Sequence, residues 1–365
     1  MKEIYGASFG NPSSIHSFGR QARKIMDEAR RTVAASIGAK EKEIIFTSGG
    51  TEADNMALIG SAMANKDKGN HIIITAMEHH AVLRSAQFLE SIGFDVTYLP
   101  VQENGQVSVE DLQAALTDKT ILVSIMYVNN ETGMIQPIVE IGELLKDHQA
   151  YFHTDAVQAY GLMEMDVTAL GVDMLSVSSH KINGPKGIGF LYAQEDVRLK
   201  PIGYGGEQER KRRPGTENVA AIAGFQKAVQ LAMKNRDKNQ QKYSNFKRLF
   251  LNILQNEHVH FAINGDPSNM VASIVNLSFP GANVETLLTN FDLSGIAASS
   301  GSACTAGSIE PSHVLTAMYG SDDERGKNSI RFSFGSFNTE ENIKEAAEKI
   351  ADIVNRLTSK EGDIK

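Results

Sequence analysis

The sequence contains one cysteine and no tryptophan among its 365 residues. A single cysteine, Cys304, excludes an internal disulfide framework and any metal cluster held by several cysteines of one chain. No uncharged apolar run approaches the roughly 20 residues that a membrane-spanning helix needs. The first residues also lack the apolar core of a signal peptide. These absences predict a soluble, cytoplasmic protein with no membrane partner.

Positive charge is also scarce, since 36 Lys and Arg residues face 44 Asp and Glu residues, which gives a formal net charge of −8. This balance argues against direct binding of nucleic acid, which needs an extended basic surface. One local basic run, Arg210–Arg213, stands out. We predict a solvated loop there, in preference to a nucleic-acid contact.

Short β-rich segments alternate with helical ones through the first two thirds of the chain. The predicted strands are Ile44–Thr47, His71–Thr75, Val96–Leu99, Ile121–Tyr127, Tyr151–Thr154, Met174–Val177 and Ile188–Tyr192. The helical segments between them are Glu52–Ala64, Ala81–Ile92, Val109–Leu116 and Ile138–His148. This alternation predicts an α/β fold with an open, mostly parallel seven-stranded sheet covered by helices on both faces. Ligands of such sheets bind at the carboxyl ends of the strands.

The two ends of the chain have different patterns. Residues 5–16 are rich in Gly, Ser, Asn and Pro and predict a loop, and an amphipathic helix follows from Ser17 to a stop at Gly38. A long helix over 217–255 leads into a smaller α/β domain. Its predicted strands and closing helix are Ser273–Ser278, Ser329–Phe334 and Glu340–Leu357. We therefore expect a large domain over 1–236 and a small C-terminal domain over 237–365 that carries Cys304.

A predicted hairpin over residues 176–192 carries Lys181 at its polar turn. Lysines in turns are most often solvated, but a lysine with a lowered pKa can instead attack an aldehyde and form a Schiff base. The hairpin by itself leaves both interpretations open. Asp155, at the end of the preceding apolar strand, favours the second one. A pyridoxal 5′-phosphate (PLP) site needs such a lysine together with an acid that keeps the ring nitrogen protonated.

With these residues in place, the sequence resembles the cysteine desulfurases of the NifS/IscS type, which are PLP enzymes of fold type I related to the class V aminotransferases. The matching motifs extend from Phe9-Gly-Asn-Pro-Ser to Ser329-Ile-Arg-Phe-Ser-Phe-Gly335. The family usually begins with a strand and an Ala-Ala-Thr-Thr-Pro-like loop, and this sequence starts near the Phe-Gly-Asn-Pro motif. We therefore expect the family's N-terminal strand segment to be missing.

The segment Thr47–Asn55 follows a strand and opens a helix, where free N–H groups can bind an anion. By itself, Ser or Thr beside Gly at this place is more often an ordinary helix cap. The resemblance implies that the phosphate is bound by Gly50 and Thr51 and by the hairpin residues Ser178 and His180. It also implies that Thr216 reaches the phosphate of a neighbouring subunit, which makes the active unit a homodimer.

For the cofactor ring, the resemblance implies that Asp155 pairs with the ring nitrogen and that Gln158 reaches the phenolic oxygen. It also implies that His79 stacks on the ring and moves protons. A histidine after a strand is more often a simple hydrogen-bonding residue, so this role depends on the resemblance. His80 has no counterpart in the family, and we predict a structural role for it.

The substrate carboxylate needs a fixed cation, and arginine offers a planar two-pronged donor. Arg331 lies within an alternating strand pattern, where an exposed strand could carry a charge harmlessly. The resemblance implies instead that Arg331 binds the substrate carboxylate with help from Asn130.

Cys304 lies in a run of small polar residues, Ser299-Ser-Gly-Ser-Ala-Cys-Thr-Ala-Gly-Ser308. Lone cysteines are usually buried, but this setting favours a reactive thiolate in an exposed loop. The motif matches the desulfurases, so the resemblance implies conversion of L-cysteine to L-alanine, with a persulfide formed on Cys304. The catalytic residues would be Lys181, Cys304 and His79, with no metal.

The implied sulfur acceptor is an iron–sulfur scaffold or a tRNA-thiolating enzyme. Two other interpretations remain open at the level of sequence. One is another class V PLP enzyme, either an aminotransferase or a selenocysteine lyase. The other is an inactive, truncated form that acts as a partner-binding scaffold.

Overall fold

The computed structural model describes residues 1–301 and 311–359. The α-helices of these residues are α1 (Lys2–Ala7), α2 (Ser17–Ala35), α3 (Gly50–Asn55), α4 (Ser61–Ala64), α5 (His80–Ser91), α6 (Val109–Ala115), α7 (Ile138–Leu145), α8 (Val167–Leu170), α9 (Gln208–Lys211), α10 (Val219–Asn256), α11 (Val284–Leu293), α12 (His313–Tyr319), α13 (Arg325–Asn328) and α14 (Glu340–Ser359). The strands are β1 (Ile44–Thr47), β2 (His71–Thr75), β3 (Asp95–Leu99), β4 (Thr120–Ser124), β5 (Tyr151–Asp155), β6 (Met174–Ser178), β7 (Gly189–Ala193), β8 (Ala262–Ile263), β9 (Ile274–Ser278) and β10 (Ser329–Ser333).

Seven strands form one sheet in the order β1-β7-β6-β5-β4-β2-β3. The pairs from β6 through β5, β4 and β2 to β3 are parallel, whereas β7 runs antiparallel to both β6 and β1. The predicted mostly parallel, seven-stranded α/β sheet is therefore confirmed. Every residue of β2, β4 and β6 is buried, as expected for strands covered on both faces.

The helix α3 continues through a π-helical turn, Met56–Gly60, into α4. Together with α5 it packs on one face of the sheet, in a core that includes Ala57, Leu58 and Val82. Packing of this continuous helical segment fixes its N-cap, Gly49, and its first residue, Gly50, with one residue between Gly49 and the end of β1. The position of these glycines matters for the site described below.

The prediction of a loop over 5–16 was wrong for its first residues, because α1 covers Lys2–Ala7. This helix contains no buried residue and is held by local backbone bonds such as that from Tyr5 N to Met1 O (3.0 Å). A helix without a buried face has no apolar periodicity, so sequence patterning could not detect it.

Two compact units make up the chain. One contains Met1–Leu99, Val109–Tyr127 and Gln136–Arg236; the other contains Pro100–Ser108, Val128–Ile135 and the chain from Asp237 onward. The segments 100–108 and 128–135 lie within the proposed 1–236 domain in sequence, but they belong to the second unit. Their assignment follows from hydrogen bonds, since Ile135 N donates to Asn269 O (3.1 Å) and Val271 N donates to Gly133 O (2.9 Å). The second unit also contains a small antiparallel sheet, β10-β9-β8.

Among the described residues, no helix is both long enough and apolar enough to cross a membrane. The longest, α10, has 38 residues, but its sequence is rich in Lys, Gln and Asn.

Candidate active site

Asp155 is the last residue of β5 and is 5% exposed. Its Oδ1 accepts a hydrogen bond from Val157 N (2.9 Å), and its backbone oxygen accepts one from Tyr127 N (2.9 Å). Burial raises the pKa of Asp155 to about 6, although the bond from Val157 and the charge of Lys181 act in the opposite direction. Asp155 is thus a buried acid whose charge depends on a nearby cation.

The lysine predicted at the hairpin turn lies at the same end of the sheet. Strand β6 pairs in parallel with β5, with Asp155 opposite Ser176. The chain then makes a 3₁₀ turn, Ser179–Ile182, before β7 returns antiparallel to β6. Lys181 lies in this turn and acts electrostatically on Asp155. The structure therefore brings together the acid and the amine that the sequence analysis paired.

A glycine-lined cradle lies beside this turn. A β-carbon on Gly50 would come within 2.8 Å of Val157 Cγ2, and a β-carbon on Gly49 would lie 3.6 Å from Ser178 Oγ. Ser178 Oγ is hydrogen-bonded to His180 Nδ1 (2.8 Å). The start of the helical segment therefore faces the lysine turn without side chains of its own, an arrangement that suits a bound phosphate.

The remaining members of the predicted phosphate set are Thr51 and Thr216. Both side chains are exposed. Residues close to them in the sequence form an ion pair, because Arg213 Nε donates to Glu52 Oε1 (2.9 Å) and Arg213 Nη2 donates to Glu52 Oε2 (3.3 Å). The segment that carries Thr216 is thus tied to the same helix that carries Thr51.

His79 is the N-cap of α5, and its Nδ1 accepts a hydrogen bond from Ala81 N (3.1 Å). Potential ligand atoms of His79, Asp155 and Asp54 all lie within 4.8 Å of one another. The structure therefore places His79 beside the buried acid. His80 begins α5, with its ring centroid 6.3 Å from that of His79.

Gln158 follows Asp155 by three residues and is half-buried. It lies in the turn that follows β5, and its contact with the phenolic oxygen stays a prediction.

Sequence reasoning missed two further buried carboxyl groups next to Asp155. Asp54, on α3, is 1% exposed, and burial raises its pKa well above the usual value, with further increases from the charges of Asp155 and Glu78. Glu78 is fully buried, and burial raises its pKa to about 8. Its Oε1 accepts hydrogen bonds from Met126 N (2.9 Å) and Thr75 Oγ1 (2.8 Å). Three acids therefore share one poorly solvated region.

His153, also missed, lies beside this acid group. Burial lowers its pKa to about 3, so the ring is neutral at neutral pH. Its Nδ1 and Nε2 are hydrogen-bonded to Ser124 Oγ (2.8 Å) and Ser176 Oγ (3.0 Å). His153 Nε2 lies 3.7 Å from Asp54 Oδ1, but the two groups do not form an ion pair because the histidine is neutral. The available signal was a histidine between Phe152 and Thr154 within an apolar strand.

The basic run was predicted to be a solvated loop, and this was only partly right. Glu209, Arg210 and Lys211 have left-handed backbone angles, with φ of 45°, 58° and 67°. Arg212 Nη2 donates to Lys42 O (2.6 Å), and Arg213 binds Glu52. The second half of the run is therefore not a solvated loop, because the guanidinium groups of Arg212 and Arg213 donate hydrogen bonds to other parts of the chain.

In the second unit, the predicted carboxylate-binding pair is in contact. Arg331 lies on β10, and its Nη1 donates to Asn130 O (3.0 Å). The backbone of Arg331 also pairs with Ser299, through Arg331 N to Ser299 O (2.6 Å) and Ser299 N to Arg331 O (3.3 Å). Cys304 lies outside the described residues.

Comparison with known proteins gives a consistent result. The chain matches the aminotransferase class-V family over residues 1–345. It is 59% identical to "Putative cysteine desulfurase IscS 1" of Bacillus subtilis (strain 168), over 97% of this chain and 93% of the relative. It is 48% identical to the cysteine desulfurase IscS of Clostridium botulinum (strain Hall), over 97% and 89%. A solved NifS-like protein superimposes with a TM-score of 0.90 at 34% identity, over 97% of this chain and 94% of that one.

Proposed function

The chain belongs to the class V aminotransferase family, among the cysteine desulfurases, and we propose that it converts L-cysteine to L-alanine and takes up the sulfur on Cys304. Enzymes of this family depend on PLP. The observation that supports the proposal best is the electrostatic pairing of Lys181 with the buried Asp155 at one end of the sheet.

The residues of the first unit fit PLP. Gly49 and Gly50 leave a cradle that β-carbons would fill, beside the hydrogen-bonded Ser178 and His180. Asp155 Oδ1 is occupied by Val157 N, so we assign the other carboxylate oxygen to the ring nitrogen. PLP, when bound, supplies an aldehyde that captures the substrate amine and a ring that accepts electrons.

We assign the further contacts to the cofactor as the sequence analysis predicted them. Thr51 contributes to the phosphate site, Gln158 faces the phenolic oxygen, and His79 stacks on the ring. Thr216 belongs to the phosphate site of a second copy of the chain, so we propose a homodimer.

Lys181 is the proposed base that removes the proton from the substrate α-carbon. A lysine amine that is freed as the neutral base can accept such a proton. His79 is the proposed second group that moves protons. In the second unit, Arg331 and Asn130 bind the substrate carboxylate, in keeping with their mutual contact.

Cys304 is the proposed nucleophile. Its thiolate attacks the substrate sulfur, an S–S bond forms and the bond between the β-carbon and sulfur breaks. Overall, L-cysteine and the Cys304 thiol give L-alanine and the Cys304 persulfide, so the step balances without an external oxidant. We propose an iron–sulfur scaffold or a tRNA-thiolating enzyme of the cytoplasm as the acceptor of this sulfur.

The test is alanine release from L-cysteine, measured for the parent protein beside Cys304→Ala and Lys181→Ala. We expect alanine and a Cys304 persulfide from the parent, with both lost in each variant. Only Lys181→Ala should also lose the yellow colour of the lysine-bound cofactor. Full turnover by Cys304→Ala would contradict the proposal and favour an aminotransferase, and a strong preference for selenocysteine would favour a lyase.

A further inference from the structure

Glu131 is a buried carboxyl group in the second unit to which the proposed reaction gives no role. Its side chain is 0% exposed. Its backbone is held on both sides, because Glu131 N donates to Asn129 Oδ1 (2.9 Å) and Glu131 O accepts from Asn276 Nδ2 (3.2 Å). Burying a carboxyl group costs free energy unless it is hydrogen-bonded, so the contacts of this side chain are informative.

One oxygen of Glu131 contacts a residue that begins a helix. Ser312 Oγ donates to Glu131 Oε2 (2.5 Å). The same hydroxyl accepts a hydrogen bond from Leu315 N (3.1 Å) and so caps α12. Among the residues that the structure describes, Glu131 Oε1 has no hydrogen-bond partner. Hence Ser312 is the side-chain hydrogen-bond donor that the structure gives to this carboxyl group.

The same oxygen also lies against Gly301. A β-carbon on Gly301 would be 3.2 Å from Glu131 Oε2 and 3.3 Å from Ser312 Cβ. Gly301 has φ of +59°, a conformation that favours glycine. Residues 301 and 312 are therefore neighbours in space, and the Glu131 carboxyl group lies beside both. In the sequence, the segment between them is the one that carries Cys304.

The substrate-carboxylate pair is connected to the same place. Asn130, whose carbonyl oxygen accepts from Arg331 (3.0 Å), directly precedes Glu131 in the chain. Ser299, which pairs with the backbone of Arg331, is two residues before Gly301. The arginine and both ends of the cysteine segment are therefore attached within one cluster of contacts around Glu131.

We propose that Glu131 is a positioning residue that holds the two ends of the cysteine segment together and in a fixed place relative to Arg331. The inference rests on the proposed function, because in that reaction the Cys304 thiolate must reach the sulfur of the bound substrate. A displacement of about 1 Å in a reacting group can cost about 100-fold in rate.

Two substitutions at position 131 test this role. Glu131→Ala removes the contact with Ser312, whereas Glu131→Gln keeps an acceptor oxygen of the same shape. For Glu131→Ala we expect kcat for alanine formation to fall about tenfold or more, with KM and the cofactor absorbance nearly unchanged. The rate of Cys304 alkylation by iodoacetamide, which is specific because the chain has one cysteine, should change several-fold. Glu131→Gln should stay close to the parent in all four measurements.

A second pair of variants covers the case in which Glu131→Ala does not fold. Ser312→Asp keeps a cap for Leu315 N but places a carboxylate against Glu131, so it should reproduce the defect. In the double variant E131Q/S312D, the Gln amide can donate to the new carboxylate, and we expect substantial recovery of kcat and of the parent alkylation rate.

Parent-like alkylation and kcat in both Glu131→Ala and Ser312→Asp would overturn the proposal, as would loss of cofactor in proportion to activity. If the parent protein forms no alanine, the proposed function fails, while the alkylation rates of the four variants still decide whether Glu131 anchors the segment.

Discussion

Two groups of buried carboxyls among the described residues of the first unit differ in their electrostatic surroundings. Glu209 accepts hydrogen bonds from Arg30 Nη1 (2.8 Å), Arg30 Nη2 (2.6 Å) and Phe46 N (3.0 Å). Asp155 has Asp54 and Glu78 as neighbours, and Lys181 is the cation whose charge lowers its pKa. The first region is a bidentate Arg30–Glu209 ion pair. The second, the acid-rich region, contains three neighbouring buried acids.

The paired region is structural. Arg30 also donates to Ile44 O (2.7 Å) and lies 4.7 Å from the ring centroid of Phe46. This anchor holds Glu209 at the start of the three left-handed residues, each of which costs about 1–3 kcal/mol. The strain is tolerated because the surrounding contacts determine the backbone.

The acid-rich region is poised for chemistry. Burial raises the pKa values of Asp54, Glu78 and Asp155 together, which disfavours the charged form of each group. A cation beside Asp155 stabilises the charged form of this carboxyl group, and the charge of Lys181 acts in this direction. Buried acids that lie together with raised pKa values are typical of functional sites, whereas the bidentate Arg30–Glu209 ion pair is typical of a structural anchor.

The largest expected effect on stability comes from breaking the Arg30–Glu209 ion pair. Glu209→Ala leaves Arg30 buried without its partner, and we expect a loss of about 3–5 kcal/mol in the free energy of unfolding, measured by urea denaturation. The double variant R30M/E209L should lose much less, because it removes both charges. Equal losses in the two variants would show that packing, and not charge, holds this segment.

Asp155→Asn should reduce activity without reducing stability. The amide cannot act as a counter-ion to a protonated ring nitrogen, so we expect kcat to fall about 100- to 1,000-fold. The free energy of unfolding should stay the same or rise, since the substitution removes a poorly solvated charge. The measurements are alanine formation and urea denaturation of the cofactor-free protein. A stability loss comparable to that of Glu209→Ala would remove the distinction between the two regions.

The pH dependence of stability gives a third, smaller test. The pKa of Glu78 rises from 4.5 to about 8 on folding, so between these values the native state binds more protons than the unfolded state. Stability contributed by Glu78 is therefore complete below the unfolded pKa and is lost as pH rises towards about 8. The slope is at most about 1.4 kcal/mol per pH unit. Glu78→Gln should flatten the decline between about pH 6 and 8, and an unchanged slope would contradict the raised pKa.

The sequence predicted the parts of this fold that depend on local pattern. The strands could be located because β2, β4 and β6 are apolar and buried throughout. Asp155 and Lys181 could be paired because Asp155 ends β5, Lys181 lies in the turn after β6, and the motifs around both residues resemble those of a known family. Both predictions use information contained within short segments of the chain.

Other features depend on contacts between distant segments and were missed. Arg30 and Glu209 are 179 residues apart, so nothing near Glu209 indicated a left-handed turn. Asp54 reads as an ordinary polar helix residue, and its burial follows from packing of α3 against the sheet. Glu131 likewise gains its neighbours Gly301 and Ser312 only in the folded chain.

The smallest expected effect is that of Asp54→Asn, and it sharpens the comparison most. Burial and the charges of Asp155 and Glu78 raise the pKa of Asp54 well above its usual value, which favours the neutral carboxyl form, and the amide is a near-isosteric substitute for that form. We therefore expect a change of less than about 1 kcal/mol in the free energy of unfolding at pH 7, in the range of ordinary tolerated substitutions. A loss of several kcal/mol would mean that Asp54 is ionised and paired in the native state. In that case the acid-rich region would be a second structural anchor, and its crowding would no longer distinguish it from the Arg30–Glu209 pair.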